Sequence, residues 1–122
     1  MTRSTEQRFL EELRLGNEQL KRDIGYNASY FNQMVGEFGP VEASRRLIRS
    51  NVVAEGFTKL WRHGKLDMTV EALSLLPWYA ELFDEEDRTS AQRRLRAYKF
   101  DVEAFIARRR VSPPSWPGPT SP

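Results

Sequence analysis

Cysteine is absent from this 122-residue chain and histidine occurs once. Without thiols there is no disulfide framework, no thiolate nucleophile and no cysteine-ligated zinc or iron–sulfur site. A GxSxG elbow, a glycine-rich phosphate loop and an HExxH pair are missing as well, so the common hydrolase, nucleotide and metalloprotease signatures are not present. No stretch approaches 18 apolar residues, and the start, Met1 to Glu6, carries no apolar segment of the kind a secretion signal needs. The expectation is a cytoplasmic protein with no membrane segment and no cofactor.

What the chain has is short apolar clusters at helical spacing. Apolar residues recur at three and four and never alternate over a long run, which predicts an all-α fold. At 122 residues one hydrophobic core is expected. The reading is a compact orthogonal bundle of six or seven short helices over residues 1–110. A disordered tail follows over 111–122, where five of the seven prolines lie.

Ser4 and Gln7 have capping-box spacing at the start of the first helix. Phe9, Leu10 and Leu13 form its apolar face; Gly16 is expected to weaken or break it, and Gly25 to end it. Asn27 is a candidate cap for a second helix carrying Phe31, Met34, Val35 and Phe38 at i, i+3, i+4 and i+7. Gly39 stops that helix and Pro40 starts a third, with Val41, Ser44, Leu47 and Ile48 inward. Phe57, Leu60 and Trp61 mark a fourth that ends at His63-Gly64, and Thr69 or Asp67 caps a fifth. Pro77 opens a short turn bearing Trp78, Leu82 and Phe83. Asp84 caps a sixth helix, acidic at its start and basic at its end, as the helix dipole favours. A last helix starts near Asp101 and finishes in Arg108, Arg109 and Arg110.

The net charge of +2 conceals a strong asymmetry. Residues 51–87 carry −5, residues 88–122 carry +6, and arginine supplies 15 of the 19 positive side chains. Arginine's planar fork suits phosphate and carboxylate. Two clusters are therefore candidate nucleic-acid contacts: Arg45, Arg46 and Arg49 on the helix after the glycine turn, and Arg93, Arg94, Arg96 and Lys99 near the basic end. Each has a structural alternative. Glu42 can pair with Arg45 and Arg46 on one helix face, and the second cluster can dock on the acidic middle of the same chain or of a second copy.

Other candidates are weighed the same way. His63 near a helix end suits carbonyl capping better than catalysis, and an enzyme reading would have to rest on His63 or Glu71. The acidic turn Asp84 to Asp87 is a helix start before it is a metal cradle. Leu10, Leu13, Asn17, Leu20 and Ile24 fit a/d positions of a short dimer seam, or else the domain's own core. Trp116, alone among the tail prolines, is either inconsequential or an anchor that docks on this domain or a partner. With Arg108, Arg109 and Arg110 it forms the candidate protein-interaction set.

The stretch Gly25-Tyr26, Phe31, Met34 and Gly39, then Gly56-Phe57 with Leu60-Trp61, Leu66-Asp67 with Thr69 to Leu73, and Leu82-Phe83, resembles a small bacterial domain family of unassigned function. The resemblance covers residues 24–98 and consists of core and cap positions. Its members are short free-standing proteins or terminal appendages, sometimes beside restriction or other phage-defence genes. It implies one helical domain and no particular chemistry. The leading expectation is a non-catalytic module that binds nucleic acid or serves a nucleic-acid-handling complex. The alternative is a protein-interaction adaptor using the acidic segment and the proline-rich tail.

Overall fold

A computed structural model describes residues 4–51 and 53–111; the expectations placed on Trp116 and on the tail beyond residue 111 lie outside those residues. Every regular element among them is helical. The α-helices are α1 (Thr5–Ile24), α2 (Ser29–Phe38), α3 (Pro40–Arg49), α4 (Glu55–Arg62), α5 (Val70–Ser74), α6 (Glu85–Ala97) and α7 (Val102–Val111). Short 3₁₀ turns span Leu66–Met68 and Pro77–Leu82. The last helix continues through Val111, one residue into the segment assigned to the tail.

The helix ends follow from side-chain chemistry. Ser4 and Gln7 make the full capping box, with the Gln7 amide 3.1 Å from Ser4 Oγ and the Ser4 amide 2.9 Å from Gln7 Oε1. Gly25 closes α1 at φ 66°, a left-handed conformation that glycine adopts without a Cβ penalty. Thr69 caps α5, accepting from the Ala72 amide at 3.1 Å, and Asp84 and Asp87 form the box that opens α6.

Four expectations are corrected. First, α1 runs unbroken through Gly16. The glycine costs about 1 kcal/mol in a helix, whereas Phe9, Leu13 and Leu20 are buried on either side of it. Such side chains contribute roughly 1.5–3 kcal/mol each, so packing wins. Second, α2 starts at Ser29 with Ala28 at the cap, not Asn27; Ala28 is buried, and no side chain accepts from the first turn. Third, Phe38 is exposed, its ring lying 3.8 Å under the Arg46 guanidinium. Fourth, Trp61 is 46% exposed and packs edge-on to Tyr98 at 5.2 Å instead of entering the core.

The core joins all the helices. Phe9 of α1 packs edge-on to Tyr79 at 5.1 Å and to Phe83 at 5.4 Å, tying the first helix to the 77–83 segment. Phe31 and Met34 of α2, Ile48 of α3, Leu73 of α5, Leu95 of α6 and Phe105 of α7 belong to the same buried cluster. Leu20 and Leu60 are also buried but stand apart from it.

Lys99 has φ 65°, the one left-handed non-glycine among the described residues, and it follows α6 where a glycine would be unstrained. Lys99→Gly is expected to raise the urea midpoint by the equivalent of about 0.5–1 kcal/mol, because a side chain there costs roughly 1–2 kcal/mol and glycine's extra chain entropy offsets part of the gain. A lower midpoint would contradict this account of the α6 terminus.

Candidate functional site: the arginine seams and an apolar groove

The three arginines of α3 meet carboxylates of their own chain. Arg45 Nε lies 3.0 Å from Asp87 Oδ2, and Arg49 Nε 2.5 Å from Asp87 Oδ1. Both guanidinium groups also reach Asp84 Oδ2, at 3.4 and 2.8 Å. Arg46 pairs with Glu42 at 3.1 Å on its own helix. Asp87 has no exposed surface, and its oxygens accept from the two arginines and from the Asp84 amide. The seam between α3 and α6 is therefore an ion network in which Glu42, Asp84 and Asp87 face Arg45, Arg46 and Arg49.

Two pKa values are displaced by this network. The Asp84 carboxyl sits below its ordinary value, first because the Asp87 amide donates to it, against an opposing effect of burial, and then because Arg49 and Arg45 face it. The Arg49 guanidinium is held above its ordinary value, chiefly by its hydrogen bond to Asp87.

The second cluster divides. Arg94 is largely buried, 2.7 Å from Glu71 Oε2; it also donates to the Leu47 carbonyl at 3.0 Å and to the Ser50 carbonyl, which satisfies the end of α3. Glu71 is thus a buried ion-pair partner that helical periodicity alone did not mark. Arg96 reaches Glu103 across the α6–α7 turn at 2.5 Å. Arg93 and Lys99 are exposed, as are Arg108 and Arg110 at the end of α7. Arg109 instead turns inward, 2.5 Å from Glu12 Oε2, while Glu12 Oε1 accepts from the Tyr79 hydroxyl at 2.5 Å.

The remaining candidates have plain positions. His63 is exposed at the C-terminus of α4, where Gly64 takes the left-handed turn at φ 67°. No group of three potential metal-ligating side chains occurs among the described residues. No helix among them is long and apolar enough to cross a membrane. In the suggested dimer seam, Leu13 and Leu20 are buried in the chain's own interior, Leu10 and Ile24 are half-buried, and Asn17 donates to Asn32 Oδ1 of α2 at 3.1 Å.

What residue-by-residue reading missed is a groove. It has a volume of about 830 Å³ and runs along α1 from Glu12 to Leu20. Its other walls are the 25–31 segment, α4 from Gly56 to Leu60, the 67–71 segment, and Phe105, Arg108 and Arg109 of α7. Leu13, Leu20, Phe31, Leu60 and Phe105 give it an apolar floor, while Leu15 (45% exposed) and Tyr30 (70% exposed) stand at its rim. Tyr26 forms part of the wall by lying over Gly56, where a Cβ would come within 2.2 Å of its hydroxyl oxygen. Burial, and then the nearby Glu55 charge, raise the Tyr26 pKa above its ordinary value, so the hydroxyl stays neutral.

Of the residues quoted for the resemblance, Gly25 and Gly39 end helices and Phe31, Met34, Phe57 and Leu60 are buried, whereas Trp61 and Asp67 are exposed. No family model, curated protein or solved structure matches the chain.

The seam can be tested through stability. Asp87→Ala leaves two arginines facing a site without its carboxylate and is expected to cost about 2–4 kcal/mol, toward the lower end of a broken buried pair because both arginines keep partial access to water. Chemical denaturation measures it, and a loss below 0.5 kcal/mol would refute the role given to Asp87. The Asp84 shift sets a direction for pH. Its folded pKa lies below the unfolded one, so its contribution is complete above about pH 5 and is lost as pH falls through the folded value. The stability advantage of the wild type over Asp84→Asn should therefore shrink from about pH 6 to about pH 3. An advantage that is constant over that range would count against the assignment.

Proposed function

We propose that this chain is a non-catalytic protein-interaction module that receives an apolar, aromatic-bearing segment of a partner in the groove between α1, α4 and α7. The supporting observation is that groove itself: about 830 Å³, apolar at the floor, with Leu15 and Tyr30 exposed at the rim. Clefts of this size suit ligand segments of a few residues, and exposed tyrosines over an apolar floor are common energetic centres of interfaces.

Electrostatics favours this reading over nucleic acid. Phosphate binding draws its affinity from cations that release counterions. Five of the seven side chains considered for that role, Arg45, Arg46, Arg49, Arg94 and Arg96, already face carboxylates of the same chain. The exposed remainder, Arg93, Lys99, Arg108 and Arg110, is the set on which a nucleic-acid role would rest. The two side chains on which an enzyme reading rested are not brought together as a site: His63 does not border the groove, and Glu71 is engaged by Arg94.

The deciding experiment places a photo-crosslinking residue at Tyr30 and, as a control, at Arg93 in the full chain within its native host, with and without nuclease. The proposal expects a discrete protein adduct at position 30 that survives nuclease and is lost with Leu15→Asp. Adducts that form only at position 93 and vanish with nuclease would overturn it in favour of nucleic acid.

A further inference from the structure

We propose that the resting occupant of the groove is this chain's own C-terminal segment, with Trp116 as its anchor, so that a partner must displace it. The inference rests on the reading of the groove as a docking site and adds its first ligand. The argument starts where α7 ends. Arg109 is held against α1 by Glu12, and Phe105, Arg108 and Arg109 form one wall of the groove. The described chain therefore ends at Val111, two residues past the last α7 residue that lines the groove.

Length sets the reach. Trp116 lies five residues past Val111, which spans at most about 17 Å of extended chain. The groove wall on α1 from Glu12 to Leu20 is about 12 Å long at the helical rise. A tail running from the α7 wall along α1 is thus long enough to bring an indole over the apolar floor.

Composition agrees with that occupant. Residues 111–122, VSPPSWPGPTSP, include no charged side chain, so entry into an apolar groove removes no side-chain charge from water. Prolines at 113, 114 and 117 restrict the backbone on both sides of the tryptophan, which lowers the entropy lost on docking. An indole buries roughly 150–250 Å² of surface, a match for a floor of leucine and phenylalanine. The tether adds an effective concentration on the order of millimolar, so even weak docking is populated.

The test compares the full-length wild type with Trp116→Ala by methyl and amide NMR. The two chains differ in sequence only beyond the last described helix, and far-ultraviolet circular dichroism checks that both are equally helical. Docking in cis expects shift changes concentrated at Leu13, Leu15, Leu20, Tyr30 and Met68, unchanged on dilution. A synthetic peptide of residues 111–122 should then bind Trp116→Ala with shifts at those positions, and bind the wild type at least tenfold more weakly. Groove signals identical in both chains, with no response to the peptide, would overturn the inference. Shifts that disappear on dilution would overturn it too, assigning the segment to a second copy. Neither result touches the partner adduct at position 30, so failure of the tail inference and failure of the groove reading are separable.

Discussion

A carboxylate with no exposed surface holds two arginines at the seam of α3 and α6, and the packing of this domain depends on that arrangement. Removing Asp87 from water is costly, and the cost is offset only because three donors converge on its two oxygens. Those donors come from two elements. Arg45 and Arg49 stand one turn apart on α3, and the third donor is the backbone amide at the start of α6. The pairing therefore fixes which turn of α3 faces the α6 N-terminus. Arg94 repeats the logic farther along α6, joining Glu71 of α5 to the carbonyls that end α3. Hydrophobic contact alone would tolerate small slips between these short helices, whereas a misaligned buried charge would be left uncompensated.

The same pairing explains the distribution of charge along the sequence. The acidic run from residue 51 to 87 and the arginine-rich segments around it looked like two surfaces of opposite sign. Folding brings them together, and much of the contrast is neutralised inside one molecule. Arg109 with Glu12 and Tyr79 extends this to the chain's two ends, pinning α7 beside α1. A helical wheel gives the angle of Arg45 or Arg49 on its helix correctly, since both side chains retain partial exposure. It is silent on what stands across the interface. That is why outward-pointing cations in sequence became ion-pair partners in the fold.

Legibility follows the range of the interaction. Elements governed by local chemistry were readable: the Ser4–Gln7 box, the left-handed Gly25 and Gly64, Pro40 at a helix start, and the Asp84 cap. Each depends on residues within four or five positions. Where local and tertiary preferences conflict, the sequence misled, as at Gly16, where a weak helix position persists because its neighbours are buried. Phe38 and Trp61 show the converse. Both lie on the apolar stripe of their helices, yet each sits at the end of a short element, where the core is already closed and the ring covers a neighbour instead. The groove was illegible because no single segment encodes it: its walls come from five stretches spread between residues 12 and 109.

That origin bears on what the groove is for. A bundle this size could close over Leu15 and Tyr30 with one longer loop, and exposed apolar side chains at a cleft rim favour association. Instead, the wall on α7 is built by the last turn before an uncharged, proline-rich segment with a single tryptophan. The Glu12–Arg109 pair serves the fold and the cleft at once, since it holds α7 to α1 and places Arg109 in the cleft wall. A structural pair that merely closed the bundle could sit anywhere along α7. Located one helical turn from Phe105 and two residues from Val111, it fixes the end of α7 against α1, beside the cleft that Phe105, Arg108 and Arg109 help to line. Scaffold and cleft thus share one part-buried carboxylate–guanidinium contact: the pair that closes the bundle between its first and last helices also sets the cleft's α7 wall.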